Sequence, residues 1–82
     1  MRIQVTQDDI DRGHVGSECF CPIALAARRA LGENIGLEDV SVGSYTVRVR
    51  GTVYYLPTAA IRFVKSFDRR VEVRPFEFEV TE

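Results

Sequence analysis

The stretch Phe20-Cys21-Pro22, running into Ile23-Ala24-Leu25-Ala26-Ala27-Arg28-Arg29-Ala30-Leu31-Gly32, constrains this chain more than any other. Proline suits the first position of a helix, because its missing N–H would be an unpaired donor there anyway. Cys21 then becomes the N-cap. Phe20 precedes it as a hydrophobic staple for Leu25, and Gly32 stops the helix. Ile23, Ala26, Ala27, Ala30 and Leu31 fall at i, i+3, i+4, i+7 and i+8, which predicts a buried stripe. Its alanines make the helix slim enough to lie close against a sheet or another helix. Arg28 and Arg29 lie off the stripe and are expected in solvent.

Around this helix the chain reads as short, well-punctuated elements. Ile3 and Val5 share one face of a strand over Arg2–Val5. Thr6 and Asp9 then sit at the two positions of a capping box, with Val5 and Ile10 placed as a staple. Gly13 ends that helix after about two turns, too short to persist without packing. From Val40 to Leu56 the pattern is a three-stranded meander. Gly43-Ser44 fits a type II′ turn and Arg50-Gly51 a weaker one. Two-residue turns at both places put Val40, Val42, Tyr45, Val47, Val49, Tyr54 and Leu56 on a core face. Ser41, Thr46, Arg48, Val53 and Tyr55 fall on the other. Thr58 caps a helix over Ala59–Phe67 whose Ala60, Phe63, Val64 and Phe67 turn inward, with Arg62, Lys65 and Arg69 on the wet side. Val71-Glu72-Val73 is extended, Pro75 marks a break or an edge, and Phe76 to Val80 alternates as a final strand. The expectation is one α+β domain over residues 1–82 in the order β-α-α-β-β-β-α-β. Its helices pack on one face of a mixed or antiparallel sheet, and the first and last strands either pair together or join the meander.

A chain of 82 residues buries only about 60–65% of its unfolded surface, so a homo-oligomer is a cheap way to hide more apolar area. The net charge of −1 argues against a dedicated nucleic-acid binder, which shows a basic excess. The charge is nonetheless uneven: acidic at Asp8, Asp9, Asp11 and Glu18, basic through the middle, acidic again at Glu77, Glu79 and Glu82. Two cysteines in C-x-C spacing make a poor disulfide framework. The start of the chain leads straight into a strand pattern, with no signal-peptide or membrane-spanning run. These points predict a cytoplasmic protein with reduced thiols.

Three constellations hold chemical potential. His14, Cys19 and Cys21 are soft metal ligands, but zinc sites want four ligands, commonly with C-x₂-C spacing. Cys21 at a helix start would have its thiolate favoured by the dipole, yet a nucleophile needs a base, and His14 is the sole histidine. The third is anion capture. The helix starts at Cys21 and Thr58 offer backbone N–H groups, and Gly16-Ser17 brings the backbone close to a ligand. Arg48 beside Tyr55 pairs a guanidinium with an aromatic plate, suited to phosphate and base. Glycine-rich phosphate signatures are absent, and nothing calls for a cofactor. Asp8, Asp9 and Asp11 are explained by capping and dipole, and Glu77 and Glu79 by strand alternation.

The spaced residues Thr6-x-x-Asp9-Ile10-x-x-Gly13, Cys21-Pro22-Ile23-Ala24-Leu25-Ala26, Leu56-Pro57, Phe67-Asp68 and Pro75-Phe76-x-Phe78 resemble a group of small proteins encoded in bacteriophage and actinobacterial genomes. The resemblance spans nearly the whole chain, but its motifs are structural punctuation and carry over no catalytic residue. It implies a small accessory protein acting in a bacterial cytoplasm. The leading expectation is a non-enzymatic protein that sequesters a small anionic, nucleotide-like signal through Gly16, Ser17, Cys21, Arg48, Tyr55 and Thr58. The alternatives are an interaction module that inhibits or adapts a host protein, and a thiol or metal protein built on Cys19, Cys21 and His14.

Overall fold

The computed structural model describes residues 1–32 and 35–81; Glu82, counted above in the acidic end, lies outside them. The elements run β1 (Arg2–Val5), α1 (Gln7–Arg12), α2 (Pro22–Leu31), a 3₁₀ turn (Leu37–Asp39), β2 (Val40–Val42), β3 (Thr46–Val49), β4 (Thr52–Tyr55), α3 (Thr58–Asp68) and β5 (Phe76–Glu79). The α+β order is the expected one. All strand pairing is antiparallel, and it is divided between two ladders: β1 with β5, and β2-β3-β4.

The capping box forms as read. The Thr6 hydroxyl accepts from Asp9 N at 3.2 Å, and the Asp9 carboxylate accepts from Thr6 N at 2.9 Å. Cys21 caps α2, its sulfur accepting from Ala24 N at 3.4 Å, and Gly32 closes that helix. Gly13 sits where its neighbours leave no room. Its φ of −67° suits any residue, but a β-carbon there would lie 2.6 Å from the Pro22 ring. The first helix therefore ends where the chain passes directly over the start of the second.

The α2 stripe is rotated from the one expected. Ile23, Ala24, Ala26 and Ala27 are buried, whereas Ala30 is exposed. The helix packs against both β1 and β2, and in its last turn Leu31 still packs on the core while Ala30 faces out. Arg29 also departs from expectation. Its guanidinium is not free in solvent but bonded to Asp9 and to the Gln4 carbonyl.

In the meander Val40 pairs with Val49 and Val42 with Val47, which sets all four valines opposite one another on the core face. That register moves the first turn one residue along. Gly43 N donates to Thr46 O at 2.8 Å, so Ser44 and Tyr45 form the turn. None of Gly43, Ser44 and Tyr45 has the positive φ that a type II′ turn requires. Tyr45 is consequently 59% exposed rather than core. The second turn keeps the two-residue register, Val49 opposite Thr52. Arg50 and Gly51 both take positive φ, 48° and 85°, the type I′ pattern whose twist matches the strands. Pro57, not Thr58, stands at the N-cap of α3, with no side-chain cap bond. Phe63, Phe76 and Phe78 stack in sequence, with centroids 4.9 and 5.2 Å apart, and so fasten α3 to β5.

Candidate functional site

The loop between α1 and α2 is held at two points. His14 N donates to Phe20 O at 2.9 Å, closing the loop on itself. Gly16 N donates to an Asp68 carboxylate oxygen at 3.0 Å, tying it to the end of α3. Beneath it lies an open cavity of about 250 Å³, lined by Gly16, Ser17, Cys21 and Val42 together with the acidic Glu18 and Asp68. Three of the six expected site residues therefore meet here. Their surroundings oppose the expected chemistry. The cavity lining contains two carboxylates and, among the described residues, no cation.

Two of the amides expected to meet an anion are also engaged. Gly16 N already serves Asp68, and the first turn of α2 points Ala24 N at its own Cys21 sulfur. Cys21 is only 6% exposed. Burial pushes its thiol up from the ordinary range, more than the Ala24 and Ile23 amides pull it down. The dipole-favoured thiolate is thus overturned by desolvation, which disfavours the charged form. Among the described residues no three His, Cys, Asp or Glu side chains are grouped to hold a metal ion. His14 lies exposed, its ring 5.9 Å from Phe20. Phe20 is itself 41% exposed, with the Arg28 guanidinium over its ring at 5.5 Å.

Arg48 and Tyr55 stand apart from this cavity, on the outer face of the meander. Arg48 pairs with Val53 and Thr46 with Tyr55, so Arg48 and Tyr55 are diagonal neighbours within reach of long side chains. Val53 is 40% and Tyr55 71% exposed. Thr58 lies exposed on the first turn of α3 and lines neither the cavity nor the strand face. The six residues thus fall in three places, not one. Tyr45, assigned to the core in the sequence reading, belongs to the outer surface, where the Lys65 ammonium sits 5.7 Å from its ring. The signal for it was Gly43, which tolerates the strand position as readily as the turn. The outer face of the meander carries Ser41, Thr46, Arg48, Val53 and Tyr55, with no acidic side chain among its paired residues.

Comparison with known proteins returns no matching family model, no matching curated relative and no matching solved structure. Among the described residues no helix is long and apolar enough to cross a membrane.

Proposed function

We propose that this chain is a non-enzymatic interaction module that docks a partner protein against the outer face of the meander. The observation that carries this reading is Tyr55, held on a regular strand with 71% of its surface in water, beside Val53 and Arg48. Tyrosine and arginine are enriched at protein interfaces, and an apolar centre with a polar rim is their usual anatomy. The face is an open sheet surface, whereas small-molecule sites are concave and enclose most of their ligand. Its one charged side chain among the paired residues is the basic Arg48, so the complementary partner presents a carboxylate beside an apolar spot. On the resemblance to phage and actinobacterial proteins, that partner is a host protein which this chain inhibits or adapts.

The test is capture from bacterial lysate on immobilised protein, with Tyr55→Ala and Arg48→Glu alongside. The expected result is one stoichiometric partner, eluted by salt and lost from both variants. Capture that both variants retain overturns the proposal.

A second reading draws on the diagonal placement of Arg48 and Tyr55: capture of a small anionic, nucleotide-like ligand, phosphate on the guanidinium and base on the ring. Isothermal titration against cyclic nucleotides and ADP-ribose derivatives decides it. Heat that Arg48→Ala abolishes selects this reading, and no heat with any of them removes it.

A further inference from the structure

We infer that β4 is a docking edge for a second copy of this chain, paired antiparallel through Val53 and Tyr55 with Tyr54 facing its own counterpart. The backbone groups of β4 point in two directions. Leu56 N donates to Tyr45 O at 2.9 Å, and in an antiparallel ladder bonded and non-bonded pairs alternate. Tyr54 and Thr52 therefore bond toward β3, and the N–H and C=O of Val53 and Tyr55 point the other way. No bond to those four groups exists among the described residues. An unpaired row of this kind is a template for another strand, and proteins normally guard it with charge, proline or a covering element. The sequence Thr52-Val53-Tyr54-Tyr55 has neither charge nor proline.

The other edges are guarded. On β1 the outward Gln4 carbonyl is taken by Arg29 at 2.7 Å. On β2 the outward Val42 N–H donates to Glu18 O at 2.9 Å. β5 carries Glu77 and Glu79, so pairing it with a copy of itself would set carboxylates side by side, and like charges across a seam are destabilising. Among the described residues only β4 is both open and uncharged.

A second copy fits this edge by its own symmetry. Reversing β4 on itself about Tyr54 places Val53 opposite Tyr55 of the second copy, and Tyr55 opposite its Val53. Four backbone hydrogen bonds close, two in each pair. Both pairs are aromatic against β-branched, a favourable cross-strand combination. The nearest cations do not oppose it. The two Arg48 residues would stand three strand spacings apart, about 14 Å, beyond the screening distance of about 8 Å at physiological salt. The result is one six-stranded sheet in which each copy extends the outer face of the other.

Val53 and Tyr55 serve the outer face through their side chains and the dimer edge through their backbone groups. Sedimentation analysis from micromolar to millimolar protein tests it, with amide exchange followed at Val53 and Tyr55. The expected result is a concentration-dependent dimer in which those two amides exchange at least about tenfold more slowly than in the monomer. Val53→Pro removes an outward donor without touching the internal ladder, and Tyr55→Lys guards the edge with charge; both are expected to be monomeric. Circular dichroism checks that each is folded, and Tyr55→Lys alone decides should Val53→Pro fail to fold. A monomer across the whole range overturns the inference, as does a dimer that survives a folded variant with both amides exchanging freely. A monomer that still captures its partner retires the dimer and leaves the interaction face standing. A dimer without a partner does the reverse.

Discussion

Arg29 grips Asp9 with both terminal nitrogens, at 2.7 and 2.8 Å, and Asp9 is only 3% exposed. The same carboxylate closes the capping box of α1, so one buried charge locks α1 to α2, and through the Gln4 carbonyl to β1 as well. Arg29→Ala leaves that carboxylate buried with its backbone bonds alone. Half of the arginine side chain is exposed, so the loss is discounted from the fully buried case to about 2 kcal/mol. For a domain of this size that is a fall in Tm of about 10 °C, read by thermal melts of the two proteins.

The pair also sets an acid limit. Burial alone would raise the Asp9 carboxyl, but bonds from Arg29 and the Thr6 cap more than offset it and hold it below its ordinary 3.8. The unfolded chain therefore binds this proton at higher pH than the folded one. The stabilisation is present above pH 3.8 and is lost as pH falls through the lower folded value. Urea denaturation across the acid range is expected to show this loss in the wild type and a smaller one in Asp9→Asn.

Gly13→Ala is expected to destabilise by overpacking, not by backbone strain. The new methyl would stand 2.6 Å from the Pro22 ring and 2.9 Å from the Asp9 carbonyl, a cost of about 1–3 kcal/mol. Pro22→Ala removes the ring, so the double variant recovers part of the loss. A double-mutant cycle in urea measures that coupling, and purely additive effects would contradict the contact.

Arg50→Asn supplies the Asn-Gly pair that a type I′ turn prefers. Arg50 holds φ at +48°, where a side chain such as arginine is strained. Its ion pair with the half-buried Asp39 is long, 3.9 Å, and Arg50 itself is exposed, so the pair contributes little. The variant is expected to gain about 0.5–1 kcal/mol, seen as a higher midpoint in urea.

Cys21→Ser keeps the cap with a better acceptor, so its circular dichroism and partner binding are expected to be unchanged. In the wild type a maleimide modifies the half-buried Cys19 well before the buried Cys21, and mass spectrometry of the labelled peptide separates the two.

What could be read in advance were features set by neighbours in the chain. The Thr6–Asp9 box, the Cys21-Pro22 start and the alternation of Phe76 and Phe78 each depend on a few adjacent residues. Tyr45 was misplaced because Gly43 suits a turn or a strand equally, and the choice fell to valine pairing across the ladder. Arg29 was set in solvent because its partner lies 20 residues away on another helix, outside any helical period. The six residues expected to share one anion site lie in three places for a similar reason. Helix starts were visible in the sequence, but not that Asp68 and the Cys21 sulfur already occupied the amides. The division of the described strands into two sheets, with α2 packed on a strand of each, is a long-range arrangement that no local pattern encodes.

The β1–β5 ladder joins Arg2 to Glu79, 77 residues apart. During synthesis β1 leaves the ribosome before β5, and it waits for the elements between them to be translated before its mate emerges. Throughout that interval Ile3 and Val5, both fully sheltered in the finished protein, have no strand beside them. A nascent chain that ends anywhere before Phe76 therefore lacks the strand that pairs with Ile3 and Val5, and the arrival of β5 completes the ladder.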